Sequence, residues 1–483
     1  MIKDYIYAVI GTGSSGIAVC EVLSELGARV LAFDSNDKNA NALKALDNIE
    51  FIHCDSNEDI VTKLSDRHYD KVVISPGVAS TGVIWQYLHS SGKEVFSDVE
   101  LAWRYGLELQ SNGQLAPTWL CITGTNGKTT TTGMLTSILK AAGIKACSAG
   151  NIGTPLISVI HEKKYEVLAV ELSSFNLHSS LSISPVAACC LNVHEDHIDW
   201  HGSFENYVDD KARVFHNAQV ACIYNCEDSL TMKMVEEADV IDGCRAVGIT
   251  MSAPSVSQIG VVEDLIVDRA FITNRHTHGQ VLASFDDLKH LSPNAEKIPE
   301  TILQDAMFAS ALARSINVDS SFVSKGLKNF EIDNHRFAFV DTIDEITFID
   351  DSKATNPHAM EAALSMLDDG KVVLLCGGDA KGADLIPVFT NVGSKIKGLV
   401  ILGADHFDVL RGISESGINT NAVIVEHNDD IYEYMLDAVK LARGFANAGD
   451  TILLSPGCAS IDQFDSYKHR GELFVEAVKS LKG

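Results

Sequence analysis

Trp119 to Thr132 reads WLCITGTNGKTTTT: an apolar run, then a glycine-rich turn, then a segment compatible with a helix. Strand, turn and helix in that order form a phosphate-binding loop. Gly124 and Gly127 let the backbone curl so that successive N–H groups face phosphate oxygens, Lys128 reaches the β- and γ-phosphates, and the Thr129 hydroxyl can ligate Mg²⁺. The strict pattern places a glycine five residues before Gly127, where Ile122 stands, so this is the shorter G-T-N-G-K-T form.

Outward from this loop, short runs rich in Val, Ile and Cys alternate with stretches of helical periodicity, as in parallel sheets with crossover helices. Three blocks result. The first runs from Tyr5 to about Phe96, with strands at Tyr5 to Ile10, Arg29 to Asp34 and Lys71 to Ser75. A helix at Ser97 to Arg104 and a polar stretch, Leu107 to Pro117, place a boundary between Lys93 and Pro117. The second block has strands at Thr118 to Ile122, Glu166 to Leu172, Pro185 to Val193 and Gln219 to Asn225, then a less regular region from Met251 to Pro299. The third begins near Asp333, with strands at Ile346 to Asp350, Lys371 to Cys376, Gly398 to Leu402, Ala422 to Glu426 and Asp450 to Ser455. The expected fold is α/β in three domains.

The composition narrows the function. The 483 residues carry 38 Lys and Arg against 65 Asp and Glu, a formal charge of −27. A nucleic-acid or anionic-membrane binder needs a basic face, so neither is expected, and an anionic substrate must be held by local cations or metals. Hydrophobic content of 46% with 21% charged residues is that of an ordered soluble chain. The uncharged stretch Leu172 to Val193 is rich in Ser and interrupted by Asn176, His178 and Pro185, which does not make a span of about 20 apolar residues. The N-terminus lacks a long apolar run with a cleavage site, so a cytoplasmic protein is expected. The eleven cysteines include no Cys-x-x-Cys pair and read as buried reduced thiols.

Other strand-end motifs carry chemistry. Gly11-Thr-Gly13-Ser-Ser-Gly16 follows the first strand and Asp34 ends the second, where it can meet a ribose hydroxyl. That pattern fits NAD or any nucleotide diphosphate. Glu171 closes one strand of the second block, and His194-Glu195-Asp196-His197 closes another. In a parallel sheet both lie at the carboxyl edge beside the phosphate loop, where Glu171 and His197 can complete Mg²⁺ coordination with Thr129. Lys211, beside Asp209 and Asp210 on a helix, reads by itself as a solvated lysine. In the third block, Asn334-His335-Arg336-Phe337 and Asp350 to Asn356 put Arg336 and Lys353 where they can clamp a phosphoryl group.

Together, GTNGKTTTT, VELSSF, LNVHEDH, HRF, DDSKATN, GGDAKGADL and SPGCASIDQF resemble the Mur ligase family of peptidoglycan synthesis over essentially the whole chain. Asp351 to Asn356 and Ser455 to Phe464 are similar to the D-glutamate-adding branch rather than those adding L-alanine, diaminopimelate, lysine or a dipeptide. The resemblance implies a Rossmann-like UDP-sugar domain at 1–96, a central P-loop ATPase domain with a parallel sheet at 97–330, and a Rossmann-like amino-acid-binding domain at 331–483. The implied activity is an ATP-dependent amide ligase that adds D-glutamate to UDP-N-acetylmuramoyl-L-alanine through an acyl phosphate, in cytoplasmic precursor synthesis. The alternatives are a Mur-type ligase for another amino acid and a UDP-sugar-binding protein without catalysis; the NAD reading falls behind both. A monomer is expected.

By the same resemblance, Lys128, Asn151, Glu171, His197, Lys211 and His335 are catalytic. Gly124, Thr125, Asn126, Gly127, Lys128, Thr129 and Thr130 bind ATP, with Asp305, Arg336, Asp351 and Lys353. Ser14, Ser15, Asp34, Ser35, Ser75, Pro76, Gly77 and Asn151 bind the UDP-substrate, and Thr355, Lys381, Ser460 and Tyr467 receive D-glutamate. Thr129, Glu171, His197 and Lys211 hold two Mg²⁺ ions, with Lys211 carbamylated by CO₂ into a bridging ligand. Two positions depart from the family. Asp305 stands where an Asn usually touches adenine and cannot donate a hydrogen bond to a ring nitrogen as Asn would, and Asn176 replaces a Gln after Ser-Ser-Phe.

Overall fold

The computed structural model describes residues 2–292, 298–331, 335–381 and 383–482. Asp333 and Asn334, where the third block was expected to begin, and Gly382 of GGDAKGADL lie outside the described residues. The chain is an α/β protein with three sheets. The first has five parallel strands in the order Ile49–His53, Arg29–Asp34, Ile6–Ile10, Lys71–Ile74, Glu94–Ser97.

The nine-stranded second sheet places Thr118–Thr123 between Ala187–Cys190 and Val167–Glu171, all parallel. The next strand in sequence after Thr118–Thr123, Ala146–Gly150, lies beyond Val167–Glu171, so the strand order reverses at the phosphate loop. Ligands of open α/β sheets bind at such a reversal, outside the carboxyl ends of the strands. Buried Cys121, Cys189 and Cys190 pack these central strands.

The expected irregular region after Met251 is instead an antiparallel extension: Gln258–Val262, Leu265–Asp268 and Gln280–Ser284 pair in succession. Strands of four or five residues, broken by a register shift between Ile266 and Val267, are too short for a clear alternation to show. The third sheet runs Ala338–Ile343, Ile346–Asp350, Thr451–Leu454, Val372–Gly377, Ile396–Leu402, Asn421–Ile424, parallel except for its first hairpin.

The expected helix at Ser97 to Arg104 starts on time but runs on to Ser111, as Asp98–Ser111. Ser97 caps it by accepting from the Glu100 N–H at 3.1 Å. Tyr105 and Leu109 extend the buried stripe begun by Leu101 and Ala102, so the stretch read as a polar linker has a core face. Val19 and Leu23, Tyr105 and Leu109, and Ile157 and Ile160 share one hydrophobic cluster. The first two sheets accordingly form one compact unit, Met1–Val193, Trp200–Leu288 and Ile302–Phe330. The second unit is His194–Asp199, Lys289–Thr301 and Glu331–Gly483. Among the described residues no helix is long and apolar enough to cross a membrane.

The phosphate-loop helix, Lys128–Ala141, is fixed from behind by the helix Ser320–Lys328. Ser137 Oγ donates to the Gly326 carbonyl at 2.7 Å, and a Cβ at Gly326 would stand 2.3 Å from Ile138 Cα and 2.6 Å from its N. These contacts are with backbone and cannot be relieved by a side-chain rotation. Gly326→Ala is therefore expected to cost about 1–3 kcal/mol of stability through overpacking. Gly106→Ala, in a helix where a Cβ would meet nothing within 4 Å, is expected to be neutral or to gain up to about 1 kcal/mol. Urea unfolding of both variants checks the contrast; equal midpoints would remove the close crossing as a constraint.

Candidate active site

The loop after Thr118–Thr123 turns through left-handed backbone at Gly124 and Gly127, with φ of 152° and 82°. Gly127 is also sterically required, because a Cβ there would lie 2.4 Å from Asp305 Oδ1. The loop is pinned to the neighbouring strand end: Thr125 N donates to Asn192 O at 3.0 Å and Asn126 N to Asn192 Oδ1 at 2.9 Å. Lys128 opens the helix and folds back over the loop, Nζ donating to the carbonyls of Gly124 and Thr125, both at 2.8 Å. Thr130 is buried one residue beyond Thr129. Asp305, in the helix Glu300–Ser315, lies beside this turn and accepts from Thr131 Oγ1 at 3.0 Å.

Glu171 ends the adjacent strand and is buried. Its Oε2 accepts from Thr129 Oγ1 at 2.9 Å and its Oε1 from Asn151 Nδ2 at 3.0 Å, so three residues named from sequence meet at one carboxylate. Asn151 is held there by its own N–H, which donates to Glu171 O at 2.9 Å. Among the described residues no group of three or more His, Cys, Asp or Glu forms a metal cage. Mg²⁺ needs none: it takes one or two carboxylates, keeps waters and binds substrate phosphates. A hydroxyl and a carboxylate in contact, both hard oxygen donors, fit that ion.

Lys211 is buried on the helix Phe204–Ala212, not solvated as its acidic neighbours suggest. Its Nζ donates to Gly124 O at 2.8 Å and lies 4.6 Å from the centre of the Tyr207 ring. Tyr207 OH in turn pairs with Thr125 Oγ1 at 3.0 Å. One carbonyl thus receives two ammonium groups, Lys128 and Lys211. His197, at φ 55°, lies in the other compact unit, with Nε2 3.6 Å from Asp196 Oδ2.

At the first sheet, Gly11 has a φ of 88°, and a Cβ on it would stand 2.6 Å from Ser75 Cβ. The glycine turn therefore abuts the Ser75-Pro76-Gly77 loop. Ser14 and Ser15 open the helix Ser14–Glu25, and Ser35, which follows Asp34, is exposed. Asp34 is committed within the protein: Oδ2 accepts from Thr12 N and Oγ1 at 2.5 and 2.8 Å, and Oδ1 from Asn36 N at 2.8 Å.

In the second unit, three strand-end loops are sewn together. His335 Nδ1 lies 2.6 Å from Asp350 Oδ2, and Lys353 N donates to His335 O at 3.1 Å. Asp351 accepts from Ser455 Oγ at 2.8 Å and Phe337 N at 3.1 Å; burial nevertheless pushes its carboxyl up to about 7. Arg336 lies close enough to oppose that rise. Lys353 Nζ sits 5.4 Å from the centre of the Tyr467 ring, and Thr355 N donates to Lys353 O. A bridge between Asp379 and Ala459 joins the loop bearing Lys381, at φ 53°, to the loop bearing the buried Ser460.

Sequence reasoning missed the residues that hold these loops. Arg470 is 1% exposed and donates to Ser352 O at 3.0 Å, Cys458 O at 3.1 Å and Ala459 O at 3.4 Å. In YKHRGELF it reads as one more surface cation of a helix. Tyr207 carries no motif signal either, whereas Asn192 stood inside LNVHEDH and was legible.

Comparison with known proteins agrees with this geometry. Residues 122–282 match the Mur ligase middle domain and residues 335–458 the Mur ligase glutamate ligase domain. A UDP-N-acetylmuramoylalanine–D-glutamate ligase of Streptomyces coelicolor is 40% identical over 98% of this chain and 97% of its own length. One from Streptomyces avermitilis is 41% identical over the same shares. MurF from Acinetobacter baumannii shares the fold, at 16% identity and a TM-score of 0.57 over 98% of this chain and 93% of its own. Full-length identity at that level, laid over the phosphate loop and the strand-end clusters, shows that the chain belongs to the Mur ligase family.

Proposed function

We infer that the protein joins D-glutamate to UDP-N-acetylmuramoyl-L-alanine at the expense of ATP, with domains at 1–96, 97–330 and 331–483. The observation that carries this reading is the phosphate loop with Lys128 folded over it, beside the carboxylate of Glu171 on which Thr129 and Asn151 meet. Such a pocket suits a transferring phosphoryl group, whose transition state spreads negative charge over its oxygens. The name borne by the full-length relatives supports the choice of amino acid.

A carboxylate is a poor electrophile, so the L-alanyl carboxylate must first take the γ-phosphate, giving an acyl phosphate and ADP. The amine of D-glutamate then attacks the acyl carbon, the amide forms, phosphate leaves and the amine proton is lost to solvent or base. The turn from Gly124 to Thr130 cradles the phosphates through its N–H groups, and Lys128 follows the γ-phosphate. Asn151, held by Glu171, donates toward the transferring group. Thr129, Glu171 and His197 would hold Mg²⁺, which would neutralise phosphate charge. Carbamylation would turn Lys211 from a cation into a carboxylate-like ligand for a second Mg²⁺.

Asp305, Arg336, His335, Asp351 and Lys353 serve the nucleotide. Ser14, Ser15, Asp34, Ser35 and Ser75 to Gly77 serve the UDP-substrate, with Thr355, Lys381, Ser460 and Tyr467 at the two D-glutamate carboxylates. The protein acts in the cytoplasm as a monomer.

Phosphate release from ATP in the presence of UDP-N-acetylmuramoyl-L-alanine is expected with D-glutamate and not with L-glutamate, L-lysine, diaminopimelate or L-alanine. Release with another amino acid instead would overturn the roles of Thr355, Lys381 and Ser460 while keeping the ligase chemistry. Lys211→Ala is expected to be inactive and partly restored by short carboxylic acids. Full activity of that variant without added acid would return Lys211 to a packing role.

Asp351 yields a pH prediction. Its carboxyl titrates near 7 when folded, above its unfolded value of 3.8, so the folded state binds this proton more tightly. The resulting stabilisation is complete below about pH 4 and is lost as pH rises to about 7. Asp351→Asn removes that titration. Relative to wild type, its urea midpoint is expected to improve between about pH 4 and pH 8, and an unchanged difference at the two values would refute the assignment.

A further inference from the structure

Behind Lys211 lies a buried polar chain that the ligase chemistry does not use. His201 Nδ1 donates to Asp210 Oδ2 at 2.9 Å, and His178 Nδ1 donates to the same oxygen at 2.8 Å. The other nitrogen of His201, Nε2, is 2.9 Å from Ser174 Oγ. Ser174 follows Glu171 by three residues, and Asp210 immediately precedes Lys211. The chain therefore spans the two sides of the phosphate site by hydrogen bonds alone. Ser, His and Asp occur in the order of a nucleophilic triad, but at 2%, 3% and 4% exposure none can meet a substrate.

The chain is also anchored on the loop proposed to hold UDP. Trp200 Nε1 donates to Pro76 O at 3.1 Å, and Ser80 Oγ donates to Trp200 O at 2.7 Å. Phe175 stacks on His201 with ring centres 5.5 Å apart, and Asn206 Nδ2 donates to His201 O at 2.8 Å. These contacts hold His201 in place and tie the backbone of the helix carrying Lys211 to the segment that follows Glu171.

We propose that His201 and Asp210 are positioning residues for the ligase reaction: they lock the helix carrying Lys211 to the segment that follows Glu171. The proposal rests on the ligase reading, since the geometry it protects is that of phosphoryl transfer. Groups behind a site that orient the residues touching substrate commonly matter about 10–100-fold in activity.

The test compares His201→Ala, Asp210→Ala, Ser174→Ala and His201→Asn with the wild-type enzyme in D-glutamate-dependent phosphate release. Both histidine and aspartate truncations are expected to lower kcat about 10–100-fold, with KM for each substrate within about threefold of wild type. His201→Asn, whose Nδ2 takes the place of the histidine Nδ1 but cannot reach Ser174, is expected to recover the Asp210 contact alone and so to match Ser174→Ala rather than His201→Ala. Leu109→Ala, in the helix Asp98–Ser111, serves as a control that loses thermal stability while keeping kcat.

Where an alanine truncation fails to fold, Ser174→Ala removes one hydroxyl and is expected to lower kcat at unchanged KM. Truncations with wild-type kcat, a fall matched by Leu109→Ala at equal loss of Tm, or a rise in KM alone would each remove the proposal and leave the ligase reading standing. A wild-type protein that releases no phosphate would remove the ligase reading and the proposal with it.

Discussion

The carbonyl oxygen of Gly124 receives two ammonium groups, and most of the first unit is arranged to make that possible. Two like charges on one acceptor repel, and burial of Lys211 adds a desolvation cost. The arrangement persists because the backbone leaves it no choice. Gly124 adopts a φ of 152°, Gly127 lets Asp305 press against the turn, and Asn192 ties the loop to the neighbouring strand end. The Tyr207 ring face offers Lys211 a partial counter-charge.

The second unit holds its buried cation by a different device. Arg470 is buried, with its pKa lowered to about 10 by desolvation, and the hydrogen bonds found for it go to the carbonyls of Ser352, Cys458 and Ala459. Asp462 and Asp350 lie close enough to offset part of its charge, and the carbonyl contacts fix the guanidinium between the loops it joins. Those loops carry Lys353 and Ser460.

Legibility in the sequence followed the range of the interaction. Ile346–Asp350 and Arg29–Asp34 fall where expected because an apolar run bounded by turn residues is a local signal. Thr129 meets Glu171 at the strand edge, where a phosphate loop beside a strand-end acid places them, whereas the contact of Asn151 with the same carboxylate carried no sequence signal. The antiparallel strands after Met251 escaped because each has only four or five residues and one register shift, and the last two turns of Asp98–Ser111 because their buried face packs on residues distant in sequence. Lys211 is the sharpest case. Beside Asp209 and Asp210 its local reading is a solvated lysine, and only the fold shows that Asp210 points to two histidines while Lys211 points to the loop.

The same contrast settles how a chain of formal charge −27 can bind anions. Exposed carboxylates act through water and salt, and their field fades within about 8–10 Å at ordinary ionic strength. Buried groups such as Arg470 act across protein, at effective dielectric constants several-fold lower, where a charge a few ångströms away counts for far more. Net charge therefore bears on solubility and discourages nucleic acid, while a few desolvated groups set the field within each unit. What matters for binding is not how many cations the chain has but how completely the fold removes those few from water.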